Sequence, residues 1–159
     1  MTVRDDLVLS WALYDLGTVD PRVLIRWAQR FCEDEPGDEH DAVVVRLAMM
    51  SPQTPRDVVE AAFTDAVAAL GEEFPDDEEA WRAFAGSIAN ALLTEQISPR
   101  DATKVLSRLA RERDELATWT AIEASYTLVA SGAVAQEDAD TEAHVEAIAL
   151  LELLNAPEN

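Results

Sequence analysis

The chain has 159 residues, close to the usual size of one domain and enough to bury a sizeable core. Hydrophobic residues make up 48%, with only five glycines and seven prolines, which argues for a helical globule and against a disordered, collagen-like or low-complexity chain. Thirty-two acidic residues against twelve basic ones give a formal charge of −20, a field that repels nucleic acid and anionic membrane and attracts basic partners.

Helical periodicity runs along the whole chain. Leu7, Val8, Trp11 and Leu13 predict a first helix over 3–16. Asp20 as cap and Pro21 at the first helical position open a second, whose Val23, Leu24, Trp27 and Phe31 share one apolar face. A third covers 41–50 with Val43, Val44, Leu47 and Met50 inward; its Val43-Val44-Val45 run is β-branched but too short for a strand between helical patterns. Thr54-Pro55-Arg56-Asp57 opens a fourth, which continues through Phe63 and Val67 to Leu70 and stops at Gly71. A fifth starts near Asp77 and passes through Trp81, Phe84, Ile88, Ala91 and Leu92, and Ser98-Pro99-Arg100-Asp101 opens a sixth. A seventh spans about 116–130, with Trp119, Ile122, Tyr126 and Val129 inward, and an eighth about 137–154. The expected fold is all-α, about eight antiparallel helices in an irregular bundle or a stack of helix pairs. It should form a single domain over residues 1–155, with a short disordered tail at 156–159. No run approaches a membrane span and no secretory leader pattern begins the chain, so a cytoplasmic protein is expected.

The helix starts repeat. Asp20-Pro21-Arg22, Thr54-Pro55-Arg56 and Ser98-Pro99-Arg100 share a cap, a proline and an arginine. Residues 12–22 and 90–100 align as a helix, a short turn with a buried Val or Ile, and a capped helix, and Ser131-Gly132-Ala133-Val134 echoes the turn. The unequal spacing excludes a strict solenoid period.

The negative charge is concentrated. Glu33, Asp34, Glu35, Asp38, Glu39 and Asp41 form one group around Pro36, and Glu72, Glu73, Asp76, Asp77, Glu78 and Glu79 form another around Pro75. Residues 117–159 hold eight acids and no base. Asp76 to Glu79, and Asp38, Glu39 and Asp41, precede helices, where anions favour the macrodipole. Glu33 to Glu35 and Glu72-Glu73 follow helix ends, where negative charge is unfavourable by ~0.3–1 kcal/mol each, so that charge points to use, by a cation or a basic partner; the plainer reading of an acidic surface is solubility. The sixth helix is the exception: Arg100, Lys104, Arg108 and Arg111 make one basic stripe, without interleaved aromatics, whose expected role is to pair with acids of the fold.

Reaction chemistry finds little footing. His40 and His144 are the two histidines, and His144-Val145-Glu146 lacks the Pro-Cys-x-x-Cys partner that a zinc deaminase requires. Asp138 to Glu142 lacks the glycine and terminal glutamate of a calcium loop. Ala85-Gly86-Ser87-Ile88-Ala89 is not a nucleophile elbow, and no phosphate-binding glycine loop occurs. Cys32, the only cysteine, precedes Glu33, Asp34 and Glu35 and reads as a small hydrophobe rather than a reactive thiol. No catalytic residue, metal ligand or cofactor is expected. Trp11, Trp27, Trp81 and Trp119 read as core. The last helix, with Ala147 to Leu151 and Leu153-Leu154, is apolar around most of its circumference, which places it either centrally or against another chain.

Trp11-Ala12-Leu13, Gly17-Thr18-Val19, Leu24, Trp27-Ala28, Arg46-Leu47-Ala48 and Trp81 together resemble the small α-helical immunity proteins of bacterial polymorphic-toxin systems, over about the first 95 residues. The resemblance implies a bacterial cytoplasmic protein that binds and neutralises a cognate toxin, often a basic nuclease, without catalysis; it carries over no site residues. The resulting expectation is a non-catalytic inhibitor that docks a basic protein through Glu33, Asp34, Glu35, Asp38, Glu39, Glu72, Glu73, Asp76 and Asp77, without nucleic acid or membrane. The alternatives are a helical adaptor or oligomerisation module, including a homodimer through the last helix, and a DNA mimic. The last would need acids spaced along one face rather than gathered at two junctions.

Overall fold

The computed structural model describes residues 1–34 and 42–156. Among these the chain is all helical, as its periodicity requires: eight α-helices, one π-helical turn, one short 3-10 turn and no strand. They are α1 (Val3–Ala12), continued by the π turn (Leu13–Thr18), α2 (Arg22–Asp34), α3 (Ala42–Ala48), α4 (Arg56–Ala69), α5 (Asp77–Leu93), α6 (Pro99–Leu109), the 3-10 turn (Asp114–Leu116), α7 (Ala117–Ala130) and α8 (Gln136–Asn155). The chain divides into two compact units, Met1–Phe84 and Ala85–Asn159, with the boundary inside α5. No helix among the described residues is long and apolar enough to cross a membrane.

In the first unit α2 packs against α1, α3 and α4, and α3 against α4. Leu7, Leu24, Trp27, Val44, Leu47, Val59 and Phe63 are fully buried in its core. Val44 lies inside a helix rather than a strand because its neighbours supply helical spacing to Leu47. Trp11, only partly buried, closes one side, stacked on Phe63 (5.8 Å, 12°) and edge-on to Phe74 (4.7 Å). In the second unit α6, α7 and α8 pack pairwise around Leu106, Trp119, Ile122, Tyr126, Ala143, Ala147 and Leu150. The buried indole N–H groups of Trp27 and Trp119 have no acceptor among the described residues.

The starts follow the caps in two of the three cap–Pro–Arg segments. The Arg22 amide donates to the Asp20 carboxylate at 3.0 Å, and the Asp101 amide to the Ser98 hydroxyl at 3.1 Å. Thr54 does not cap: α4 begins without a side-chain cap, and Pro55 takes the N-cap place. At the first helix Thr2 and Asp5 form a reciprocal capping box.

The ends share a device that composition hides. At the close of α4, α5 and α7, a residue in the left-handed region (Gly71, Glu95, Gly132) lets the next amide reach back five residues: Glu72 to Val67, Gln96 to Ala91 and Ala133 to Leu128. The π turn ends on Val19 at φ 52°, with its amide bonded to the Tyr14 carbonyl at 2.8 Å. Val19 was expected to be buried in its turn but is 42% exposed, because the left-handed backbone points it outward.

Glu95 occupies at φ 57° a conformation that costs an L-residue about 1–2 kcal/mol. Glu95→Gly is therefore expected to raise stability by about 0.5–1 kcal/mol, and Gly132→Ala to lower it by about 1 kcal/mol. Thermal melts of the two variants should move in opposite directions.

Candidate functional site

Both acidic groups border the first turn of α1. Glu33 and Asp34 stand exposed on the last turn of α2. Glu35, Asp38 and Glu39, expected in the same patch, lie outside the described residues, as do Asp41 and His40. Glu72, Glu73 and Asp76 lie between α4 and α5, and Asp77 opens α5. The first turn of α1 borders both groups. On one side Met1, Thr2, Val3 and Asp6 share a shallow cleft of about 280 Å³ with Trp27, Arg30, Phe31 and Asp34. On the other, Arg4 reaches the second group. Two acidic segments far apart in sequence thus flank the same helical turn.

The fold's own guanidinium groups take up part of this charge. Arg4 holds both carboxylate oxygens of Glu79 at 2.7 and 2.6 Å, donates to the Glu73 carbonyl and lies 3.8 Å from Glu72. Asp76 and Glu79 form a second capping box: the Glu79 amide donates to Asp76 at 2.8 Å and the Asp76 amide to Glu79 at 3.2 Å. Glu78 accepts from the Trp81 indole at 2.6 Å and sits 3.6 Å from Arg82. Arg30 pairs with Asp6 at 3.0 Å. The carboxylates of Glu33, Asp34, Glu73 and Asp77 are exposed, and none of these four enters an ion pair among the described residues. Helix capping and Arg4 explain Asp76, Glu79 and Glu72 locally, and Asp77 lies in the first turn of α5, where negative charge favours the helix dipole; Glu33, Asp34 and Glu73 are left unexplained.

A polar group that residue spacing did not single out ties the π turn to α4. The Tyr14 hydroxyl donates to Glu60, Arg56 donates to the same carboxylate oxygen at 2.8 Å, and the Arg56 guanidinium lies 5.6 Å over the Tyr14 ring. Burial and the Glu60 carboxylate push the Tyr14 phenol up to about 12, so it stays protonated and acts as a donor, not as a base. The Tyr14 hydroxyl and Arg56 together hold Glu60 below the ordinary carboxylate range. Arg56 and Glu60 pair at i, i+4, and Tyr14 joins them from 46 positions away. The geometry is that of a structural tie.

Other reactive side chains are quiet. Burial, with Glu33 beside it, raises the Cys32 thiol, which keeps it protonated. His144 donates from Nδ1 to the Asp140 carbonyl at 2.7 Å on its own helix. Among the described residues no three His, Cys, Asp or Glu side chains gather as a metal site. The basic stripe of α6 pairs thinly with the fold: exposed Lys104 lies 3.9 Å from Asp101, and Arg108 donates to the Lys104 carbonyl. Arg100 and Lys104 line a cleft of about 260 Å³ with Glu123, Tyr126 and Thr127. The Tyr126 hydroxyl there donates to Asp140 at 2.5 Å, and burial, then Asp140, raises its pKa.

The Glu60 tie sets a pH dependence. A carboxylate whose folded-state value is depressed contributes stability that is complete above its ordinary value of 4.5 and is lost as the pH falls through the folded-state value. Glu60→Gln is expected to cost about 1 kcal/mol near neutral pH. In urea titrations the gap to the natural chain should shrink on acidification to about pH 3; a gap that stays constant there would show that the carboxylate charge is not what anchors Tyr14.

The chain matches no family model, no curated protein and no solved structure.

Proposed function

We propose that the protein is a non-catalytic binding module that docks a cationic protein through the acidic surface of its first unit, in the manner of an immunity-type inhibitor neutralising a basic toxin domain. The observation that carries this reading is that Asp34 and Glu73, from two acidic groups far apart in sequence, border the first turn of α1 from different sides, with the carboxylates of Glu33, Asp34 and Glu73 outside every ion pair among the described residues. Like charges beside one helical turn raise a local potential that steers a basic surface to it and rejects acidic competitors. Negative charge held after the ends of α2 and α4 opposes the helix dipoles, so its presence is accounted for by use rather than by helix stability. Arg4 and Arg30 fix the turn between the two groups, which presents the remaining carboxylates on a fixed frame.

The test is a charge reversal that spares the internal pairs. The variant Glu33→Lys, Asp34→Lys, Glu73→Lys should keep its fold, with a melting temperature no lower than about that of the natural chain. With a basic partner isolated by affinity capture, it should associate about tenfold or more slowly at low salt, and the remaining rate should depend little on ionic strength. Unchanged association kinetics, or a captured partner without a basic surface, would remove the reading.

A further inference from the structure

The second unit carries a surface that acidic docking at the first does not use. α8 packs mainly through alanines: Ala139, Ala143 and Ala147, with Leu150, at i, i+4, i+8 and i+11, are buried. Three of its larger aliphatic side chains turn the other way. Val145 is 61% exposed, Ile148 50% and Leu153 46%, with exposed Ala149 between them. At about 100° per residue these four lie on one face, with Asp138, Glu142 and Glu152 exposed along the same side. Single exposed aliphatics are ordinary, but a row of them on one helix face rimmed by charge marks an interaction surface.

The rim selects the occupant. No lysine or arginine follows Arg113 in the chain, so every charged side chain of α7 and α8 is acidic. A second copy of the chain would set this surface against another made of the same acids, and an anionic bilayer would meet it with like charge. We propose that the outward face of α8 docks a cationic amphipathic helix of another protein, its leucine-type residues seated on Val145, Ile148 and Leu153 and its lysines or arginines placed against Glu142, Glu152 and Asp138. This is the pairing in which an apolar stripe and a charged margin are matched at helical spacing. It is independent of the acidic surface of the first unit.

The experiment titrates the full chain with a synthetic amphipathic peptide of about 18 residues, long enough for several helical turns, in which leucine and lysine recur at helical spacing. A counterpart carrying glutamate for lysine serves as control. The lysine peptide should bind, gain helicity on binding and weaken with salt, and the glutamate peptide should bind tenfold or more weakly, about 1.4 kcal/mol or more. The triple variant Val145→Gln, Ile148→Gln, Leu153→Gln alters exposed side chains only and should keep its melting temperature while losing about tenfold or more in affinity. Ile148→Lys alone should weaken binding in the same direction. In the charge-reversed first-unit variant the triple substitution should cost as much peptide affinity as it does in the natural chain, which separates failure here from failure of the docking reading above. The proposal is overturned if the triple variant binds the lysine peptide undiminished. It is also overturned if the natural chain sediments as a dimer that the triple variant dissolves, which would assign the face to a second copy.

Discussion

Thirty-two carboxylates share twelve basic side chains, and where each guanidinium is committed decides which carboxylates face solvent unpaired. Arg4 is committed most fully, with a two-pronged bond to Glu79 and a bond to the backbone at Glu73. Arg30 holds Asp6, Arg56 holds Glu60, and Arg22 turns back on the Asp20 that caps its own helix. These pairs are partly exposed, and each adds modestly to stability. Their larger effect is spatial. They absorb charge where helices must be started or joined and leave it bare at the ends of α2 and α4 and along α8. The field that a partner meets is the remainder of that internal pairing.

The two units solve the packing problem differently. The first fills its core with aromatics: Trp27 and Phe63 meet edge to face at 5.1 Å, and Trp11 bridges Phe63 and Phe74. Large rings fix helices at a distance and bury much area per residue. The second sets the alanine seam of α8 against α6 and α7, so that Val145, Ile148 and Leu153 of α8 are available to the outside. Close packing through small residues and outward display of large ones are two sides of one choice.

Much of this was legible before any coordinates. Proline and cap residues fixed the starts of α2 and α6, and the spacing of Trp119, Ile122 and Tyr126 fixed the inward face of α7. The inward face of α8 was not legible, because hydrophobicity alone ranks leucine and isoleucine above alanine for the core, while backbone approach between helices rewards the smaller side chain. Glu95 hid a left-handed helix end because only glycine advertises that conformation in a sequence. Thr54 looked like a cap, yet Pro55 displaced it. The two acidic segments were visible as charge; that they border one turn of α1 depends on long-range packing that no local pattern records. Tyr14 read as one more helical aromatic, since its partner Glu60 lies 46 positions away.

The turn at Leu13–Thr18 is wound as a π-helix. Wider winding of this kind accommodates one residue more than an α-helix would over the same rise. It is in effect an insertion absorbed without lengthening the helix, and it sets the azimuth at which Tyr14 meets Glu60 and Arg56. Tyr14 is the second residue of that turn, so removing the position ahead of it, Leu13, would swing the phenol round the axis by about 100° and part it from its carboxylate while leaving the helical content of the chain almost unchanged.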